Sequence, residues 1–259
     1  MDERDVSVAV RARVGWLQYA REPANVFTEA MVGAVHEALE GLLAEPRVRV
    51  VVFASALEKH FSSGADLKAF RDYPPERIHG WTRLCHAVVR LMRGSPKPLL
   101  AAVNGTAVGG GLEMALHCDV RFAATNLQLG LPEVRFGFIP PFGGTQALAR
   151  LMGRPRALRF LYDAAFLDAE RALALGLVDE LTAPDALHDT VQAYGEALAA
   201  RPADALAAVR RCITEGGAKD FDAGLDIEYE EAVRLAGSTD FAEGVRAFLE
   251  KREPRWQDG

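Results

Sequence analysis

Three short apolar runs limit what this chain can fold into: Val48 to Ala54, Leu99 to Val103 and Val120 to Ala124. A strand with one wet face alternates apolar and polar residues. A strand covered on both faces reads as a near-continuous, β-branched apolar run instead. Such strands need helices above and below them, and the chain supplies candidates. Met31, Val35, Leu39 and Leu42 recur at helical spacing behind Thr28, a good N-cap, and Pro46 closes that segment. A longer helix is expected from about Glu76 to Met92, before the breaker Gly94 to Pro98. Val6 to Arg11 and Val14 to Tyr19 read as strands joined by a turn. Beyond Gly144 the pattern is mainly helical. Pro202 stands near the start of one late helix, and Asp240 is expected to cap another with Glu243 as its capping-box partner. Strands alternating with helices to about residue 180, then helices alone, predict an α/β core with a helical appendage. No Pro/Gly/Ser-rich linker divides them, so they should pack together.

A chain of 259 residues can bury a large core. Its 49% hydrophobic and 25% charged content exclude a disordered or collagen-like chain. No apolar run approaches the roughly 20 residues needed to cross a bilayer. With 30 basic against 36 acidic residues the net charge is −6, a poor basis for general nucleic-acid binding. Cys85, Cys118 and Cys212 are odd in number and far apart, which predicts reduced thiols without metal-ligand spacing. The start, Met1 to Asp5, lacks the features of a signal or transit peptide, and Trp256 to Gly259 is no peroxisomal address. The expectation is a cytoplasmic protein with no membrane segment.

The most informative stretch for chemistry is Gly109-Gly110-Gly111-Leu112-Glu113. Glycines opening a helix clear the approach to its free N–H groups, at the end whose dipole favours an oxygen gaining negative charge. Gly110 and Glu113 lie three apart and share a helix face, so a backbone donor and a carboxylate would point at one space. Tight packing of helix on strand is the commoner reason for a glycine cluster. The second feature is Leu131-Pro132-Glu133, where proline can open a helical turn with Glu133 among its unsatisfied N–H groups. An ordinary first-turn Glu is the plainer reading there. Two carboxylates that converged would separate their pKa values and divide into an acid and a base. The third is Ser63 to Lys68, where a turn into a helix would present the Ala65 N–H as a second donor and Lys68 as a cation for a phosphorylated carrier, or as a solvated lysine. Adjacent His117, Cys118 and Asp119 point in different directions, which favours packing over a shared metal. Ser62 and Ser63 lack a nucleophile elbow, and His60 belongs to no ligand pattern.

Together these segments resemble the crotonase family, the enoyl-CoA hydratases and isomerases. The matching motifs are FSSGADLKAF from Phe61, LLAAVNGTAVGGGLEMALHCD from Leu99, LGLPEVRFGFIP from Leu129 and GGTQALARLMG from Gly143, with ALALGLVDEL and EGVRAFLEKR further on. The resemblance covers nearly the whole chain in the expected order. It implies a spiral of ββα units over residues 1–200, with a C-terminal α-helical trimerisation region over 201–259. It also implies a homo-trimer, or a homo-hexamer built as a dimer of trimers. The substrate implied is an acyl-CoA thioester, with CoA part of the substrate and no separate cofactor or metal. By position, Ala65 and Gly110 match the family's two oxyanion-hole donors, and Glu113 and Glu133 its two catalytic carboxylates. Ala65, Asp66, Leu67 and Lys68 match the loop along the CoA, while Phe248 and Lys251 match C-terminal positions that approach a CoA, often a neighbouring subunit's. Hydration would send water to Cβ while two N–H groups hold the enolate oxygen. Isomerisation needs only one shuttling carboxylate. A catalytically idle scaffold binding CoA, or RNA through Lys251, Arg252 and Arg255, is the remaining alternative.

One departure bears on the reaction. The family's usual turn I-P-G-x-G-G reads here Ile139-Pro140-Pro141-Phe142-Gly143-Gly144. Pro141 has no N–H where typical hydratases have a glycine that helps to hold water. Phe142 replaces a commonly small residue and is expected, with Phe70, Leu84 and Phe138, to wall the acyl pocket.

Overall fold

The computed structural model describes residues 5–257; Met1–Arg4 and Asp258–Gly259, which carry most of the terminal targeting readings, lie outside the described residues. The chain opens with a hairpin, β1 (Val6–Arg11) and β2 (Val14–Tyr19), paired antiparallel. Its turn residues Ala12 and Arg13 both take positive φ, 44° and 68°, which matches the twist of a two-residue hairpin loop. Helix α1 (Glu29–Ala44) follows, capped by Thr28, whose side chain accepts from the Met31 N–H. Next come β3 (Val50–Ser55), β4 (His60–Ser62), the short α2 (Leu67–Phe70) and α3 (Pro75–Arg93). The pattern strand, strand, helix then recurs as β5 (Leu99–Val103), β6 (Thr106–Val108) and α4 (Gly110–Leu116). It recurs once more as β7 (Val120–Ala124), β8 (Gln128–Gly130), a 3-10 turn over Glu133–Phe136 and α5 (Gly144–Met152). The chain continues through α6 (Arg154–Asp163), β9 (Phe166–Asp168), α7 (Ala169–Ala174), β10 (Glu180–Thr182) and α8 (Leu187–Ala199). Helices α9 (Ala203–Thr214), α10 (Phe221–Ala236) and α11 (Thr239–Glu250) complete it.

Each of the three strand-strand-helix units gives its first strand to one sheet and its second to another. The larger sheet runs β1-β2-β3-β5-β7-β10, parallel from β2 onward. The smaller runs β4-β6-β8-β9, parallel except for its last pair. This is the ββα spiral, repeated in geometry although the sequence shows no clear repeat. The apolar run of β3 is explained by its two faces. Val51 and Phe53 enter the main core with α1 and α3, while Val50, Val52 and Ala54 meet Leu187 and Val191 of α8.

Arg210 of α9 ties the C-terminal helices to the core, pairing with Asp119 at 2.9 Å and donating to the carbonyls of Met92, Arg93 and Ser95. The expected capping by Asp240 is corrected. Ser238 caps α11 through the Phe241 N–H, because the helix starts one residue before Asp240. Asp240 accepts instead from the Gln257 N–H, and Glu243 holds Arg252, folding the chain end back onto α11. Among the described residues, no helix is long and apolar enough to cross a membrane.

Candidate active site

The turns that follow β4 and β6 meet at Gly64 and Gly110. Gly64 has φ +81°, and a Cβ there would stand 2.7 Å from the Val108 carbonyl and 3.2 Å from the Gly110 nitrogen. Only a glycine permits that approach. The Gly64 carbonyl accepts from Phe27 and the Asp66 N–H donates to Phe27, so the chain on both sides of Ala65 is pinned. Ala65 and Gly110 themselves donate their N–H groups to no protein acceptor among the described residues. Both line a cavity of about 550 Å³, together with Glu133, Phe70, Phe138 and Pro141. Two backbone donors left free at one cavity, one of them at the start of α4, form the arrangement that stabilises a developing oxyanion.

Both carboxylates come to this place. Glu113 sits on α4 with 0% exposure; its Oε1 accepts from the Gly144 N–H at 2.7 Å, and its Oε2 has no partner. Burial raises its pKa well above the ordinary carboxylate range, and the neighbouring charge of Glu133 raises it further. The N–H groups of Gly144 and Phe142 act in the opposite sense. Glu133 opens the 3-10 turn behind Pro132, and burial pushes it up to about 7. Its Oε2 is also buried without a hydrogen bond. Glu133 lines the cavity, whereas Glu113 lies behind the lining. Desolvation thus raises the pKa of both carboxylates, and the charge of Glu133 adds to the rise at Glu113.

The remaining expected residues are placed differently from one another. Leu67 is exposed and lines the cavity, and Phe70 lines it while packing edge-to-face on Trp81 at 4.7 Å. Asp66 serves its own helix: Oδ1 accepts from the Lys68 and Ala69 N–H groups, and Oδ2 lies 3.6 Å from Arg21. Lys68 is exposed on the same short helix, and Leu84 packs against the main core. Phe142 stands behind the cavity rather than in its wall. It is 1% exposed, packed on Phe27 and Trp81, and a Cβ on Gly110 would be 3.2 Å from its ring. Phe248 and Lys251 lie at the end of α11, away from both carboxylates in this chain, with Phe248 beside a second apolar cavity. His117, Cys118 and Asp119 turn to separate partners: the Phe142 carbonyl, the Met114 carbonyl and Arg210. Arg252 is held by Glu243 and Glu250. Trp81, Ile78 and Phe166 line the cavity without having been singled out in the sequence. Trp81 reads there as an ordinary apolar position of α3, and nothing in its spacing separates a cavity wall from core.

The family model for enoyl-CoA hydratase/isomerase matches residues 12–259. The chain belongs to the enoyl-CoA hydratase/isomerase family. A crotonyl-CoA hydratase of Syntrophomonas wolfei is 34% identical over 229 residues, 88% of each chain. An (E)-benzylidenesuccinyl-CoA hydratase of Thauera aromatica is 35% identical over 221 residues, covering 82% of this chain and 83% of its own. The crystal structure of an enoyl-CoA hydratase from Bacillus anthracis superposes with a TM-score of 0.94 at 32% identity, over 98% of this chain and 100% of that one. Fold and sequence thus place this chain in the same family.

Proposed function

We propose that this protein is an enoyl-CoA hydratase that adds water reversibly across the double bond of a 2-enoyl-CoA thioester. The observation that carries the reading is the pair Glu113 and Glu133, each desolvated with one unpartnered oxygen, beside the free N–H groups of Ala65 and Gly110. The thioester oxygen binds between the two N–H groups. Attack of water at Cβ moves negative charge onto that oxygen, where each preorganised donor is worth about 3–4 kcal/mol. The ionised member of the pair takes the proton from water, and the protonated member serves Cα. Neither step calls for a metal or a separate cofactor, since CoA is the carrier on the substrate. The loop Ala65 to Lys68 runs along that carrier, with the exposed Lys68 meeting phosphate. Glu113→Gln and Glu133→Gln should each lower kcat by about a hundredfold or more. Purified protein with crotonyl-CoA should lose the conjugated thioester absorbance. A panel of enoyl-CoA esters analysed by mass spectrometry then gives the acyl range, and no turnover at any chain length overturns the reading.

A second reading is double-bond isomerisation through the same enolate. It is favoured by Glu133 alone lining the cavity and by Pro141, which offers no N–H to a bound water. Solvent-deuterium incorporation at Cα without net hydration would select it.

Assembly as a trimer or a hexamer of two trimers in the cytoplasm completes the proposal. Helices α10 and α11 support it, because they leave Phe221, Tyr229, Phe241, Phe248 and Leu249 exposed. In such an assembly Phe248 and Lys251 approach a neighbouring subunit's CoA.

A further inference from the structure

Glu113, in the first turn of α4, and His117, at its C-cap, are one helical turn apart, and both side chains end on the same turn, Pro140 to Gly144. Gly144 donates its N–H to Glu113 Oε1 at 2.7 Å. Two residues earlier, the Phe142 carbonyl lies 2.7 Å from His117 Nε2. A carbonyl can only accept, so Nε2 carries the proton. Burial pushes the imidazole down to about 4, which leaves it the neutral Nε2–H tautomer at working pH. Between the two contacts stands Gly143, with φ +84°. A Cβ there would come within 3.1 Å of the same Nε2, so the ring is fitted directly against the turn.

We propose that His117 is a positioning residue. Its Nε2–H holds the Phe142 carbonyl so that the Gly144 N–H, two residues on, stays aimed at Glu113. The turn needs such a hold because Pro141 has no N–H of its own with which to be fixed. The proposal rests on Glu113 belonging to the acid–base pair. Glu113 is faced by Glu133, by the Cys85 thiol of α3 and by the N–H groups of Phe142 and Gly144. His117 is faced by Arg93, with His86, Arg90 and Arg150 around the small cavity outside it.

The test compares full-length His117→Ala, His117→Gln and Glu113→Gln with the parent, using an enoyl-CoA the parent turns over. His117→Ala should lower kcat about tenfold to a hundredfold, the range expected when a reacting group is misplaced. KM should change by less than about threefold, since no contact to substrate is lost. Without the aimed N–H, the doubly ionised pair is disfavoured, so the basic limb of the rate–pH profile should move to higher pH. The glutamine amide N–H can meet the same carbonyl, so His117→Gln should restore both kcat and the basic limb. Hydrogen exchange at the Gly144 amide reads the clamp without the chemistry: faster in His117→Ala, parental in His117→Gln. Parental exchange at Gly144 in His117→Ala overturns the proposal. So does a loss of activity that His117→Gln fails to rescue and that accompanies only a lower melting temperature. Full activity in Glu113→Gln would overturn the acid–base reading instead, while the exchange result still decides the clamp.

Discussion

Gly109 makes room for the carboxylate of Glu133. A Cβ on Gly109 would stand 2.8 Å from Glu133 Oε1, and its backbone sits at φ +54°, ψ −129°, a conformation that disfavours any side chain. Both facts act on the same substitution. Gly109→Ala should cost about 1–3 kcal/mol of stability from the backbone alone. It should also displace the Glu133 carboxylate and lower kcat at least about tenfold. Denaturant unfolding and steady-state kinetics measure the two separately. Unchanged kcat in a destabilised variant would mean that Glu133 works from another position.

The pH dependence follows from Glu133, which ionises at about 7 in the folded protein against an ordinary 4.5. Its raised value means that the native state binds a proton more tightly than the unfolded chain. Stability from this group is therefore fully present below about 4.5 and is lost as pH rises through about 7. Glu133→Gln removes the dependence, so the variant should gain stability relative to the parent at pH 8 and little at pH 4. The same ionisation should place the acid limb of the parent's kcat profile near 7. Melting curves across pH that run parallel for parent and variant would contradict this.

The doubly covered strands and the first helix were legible because burial on two faces and a cap leave local marks: β5 and β7 lie where the apolar runs place them, and α1 begins behind Thr28. Strands of three residues such as β6 and β8 leave almost none. The candidate site was legible where backbone geometry demands a residue type, as at Gly109 and Gly110. The place of Phe142 was not. Its ring could face the acyl pocket or the core, and the choice is made by Gly110, Phe27 and Trp81, which are distant in sequence. The role of His117 was hidden for the same reason, since its partner lies 25 residues away. Asp240 misled because Ser, Thr and Asp are all good caps, and all three stand in a row as Ser238, Thr239 and Asp240.

Pro141→Gly restores the backbone N–H that typical hydratase turns carry. If water binding limits this site, hydration should rise about tenfold while solvent exchange at Cα stays within about twofold, because the free N–H groups of Ala65 and Gly110, the proposed enolate donors, are untouched. The ratio of hydrated product to deuterium incorporation gives the answer in one experiment. A fall in both rates would show that the proline instead fixes the turn around Gly144.

Arg210 should matter for stability and not for chemistry. It is 7% exposed, and four groups depend on it: the Asp119 carboxylate and the carbonyls of Met92, Arg93 and Ser95. Truncation removes the shared guanidinium: the Asp119 carboxylate keeps the Leu99 N–H and the Met92 carbonyl the Ser95 N–H, and losing such charge-assisted hydrogen bonds typically costs about 1–3 kcal/mol. Arg210→Ala should therefore lower the unfolding midpoint sharply while kcat of the surviving folded enzyme stays within about twofold. A midpoint near the parent's would show that water replaces the guanidinium.

The two faces of α11 differ in kind. Ala247 is buried against its own chain, whereas Phe248 and Leu249 are 83% and 74% exposed beside an apolar cavity of about 580 Å³ lined also by Phe241 and Trp256. Adjacent large apolar side chains at that exposure normally meet another protein surface. Phe248→Asp with Leu249→Asp places two charges there without touching the residues that close α11 onto the chain end, Glu243 and Arg252. Sedimentation should show the parent as a trimer or larger and the double variant as a smaller species with unchanged helical content. If α11 also meets a neighbouring subunit's CoA, KM for the enoyl-CoA should rise in parallel with dissociation. Equal masses for parent and variant would remove the assembly from the proposal and leave the carboxylate chemistry standing.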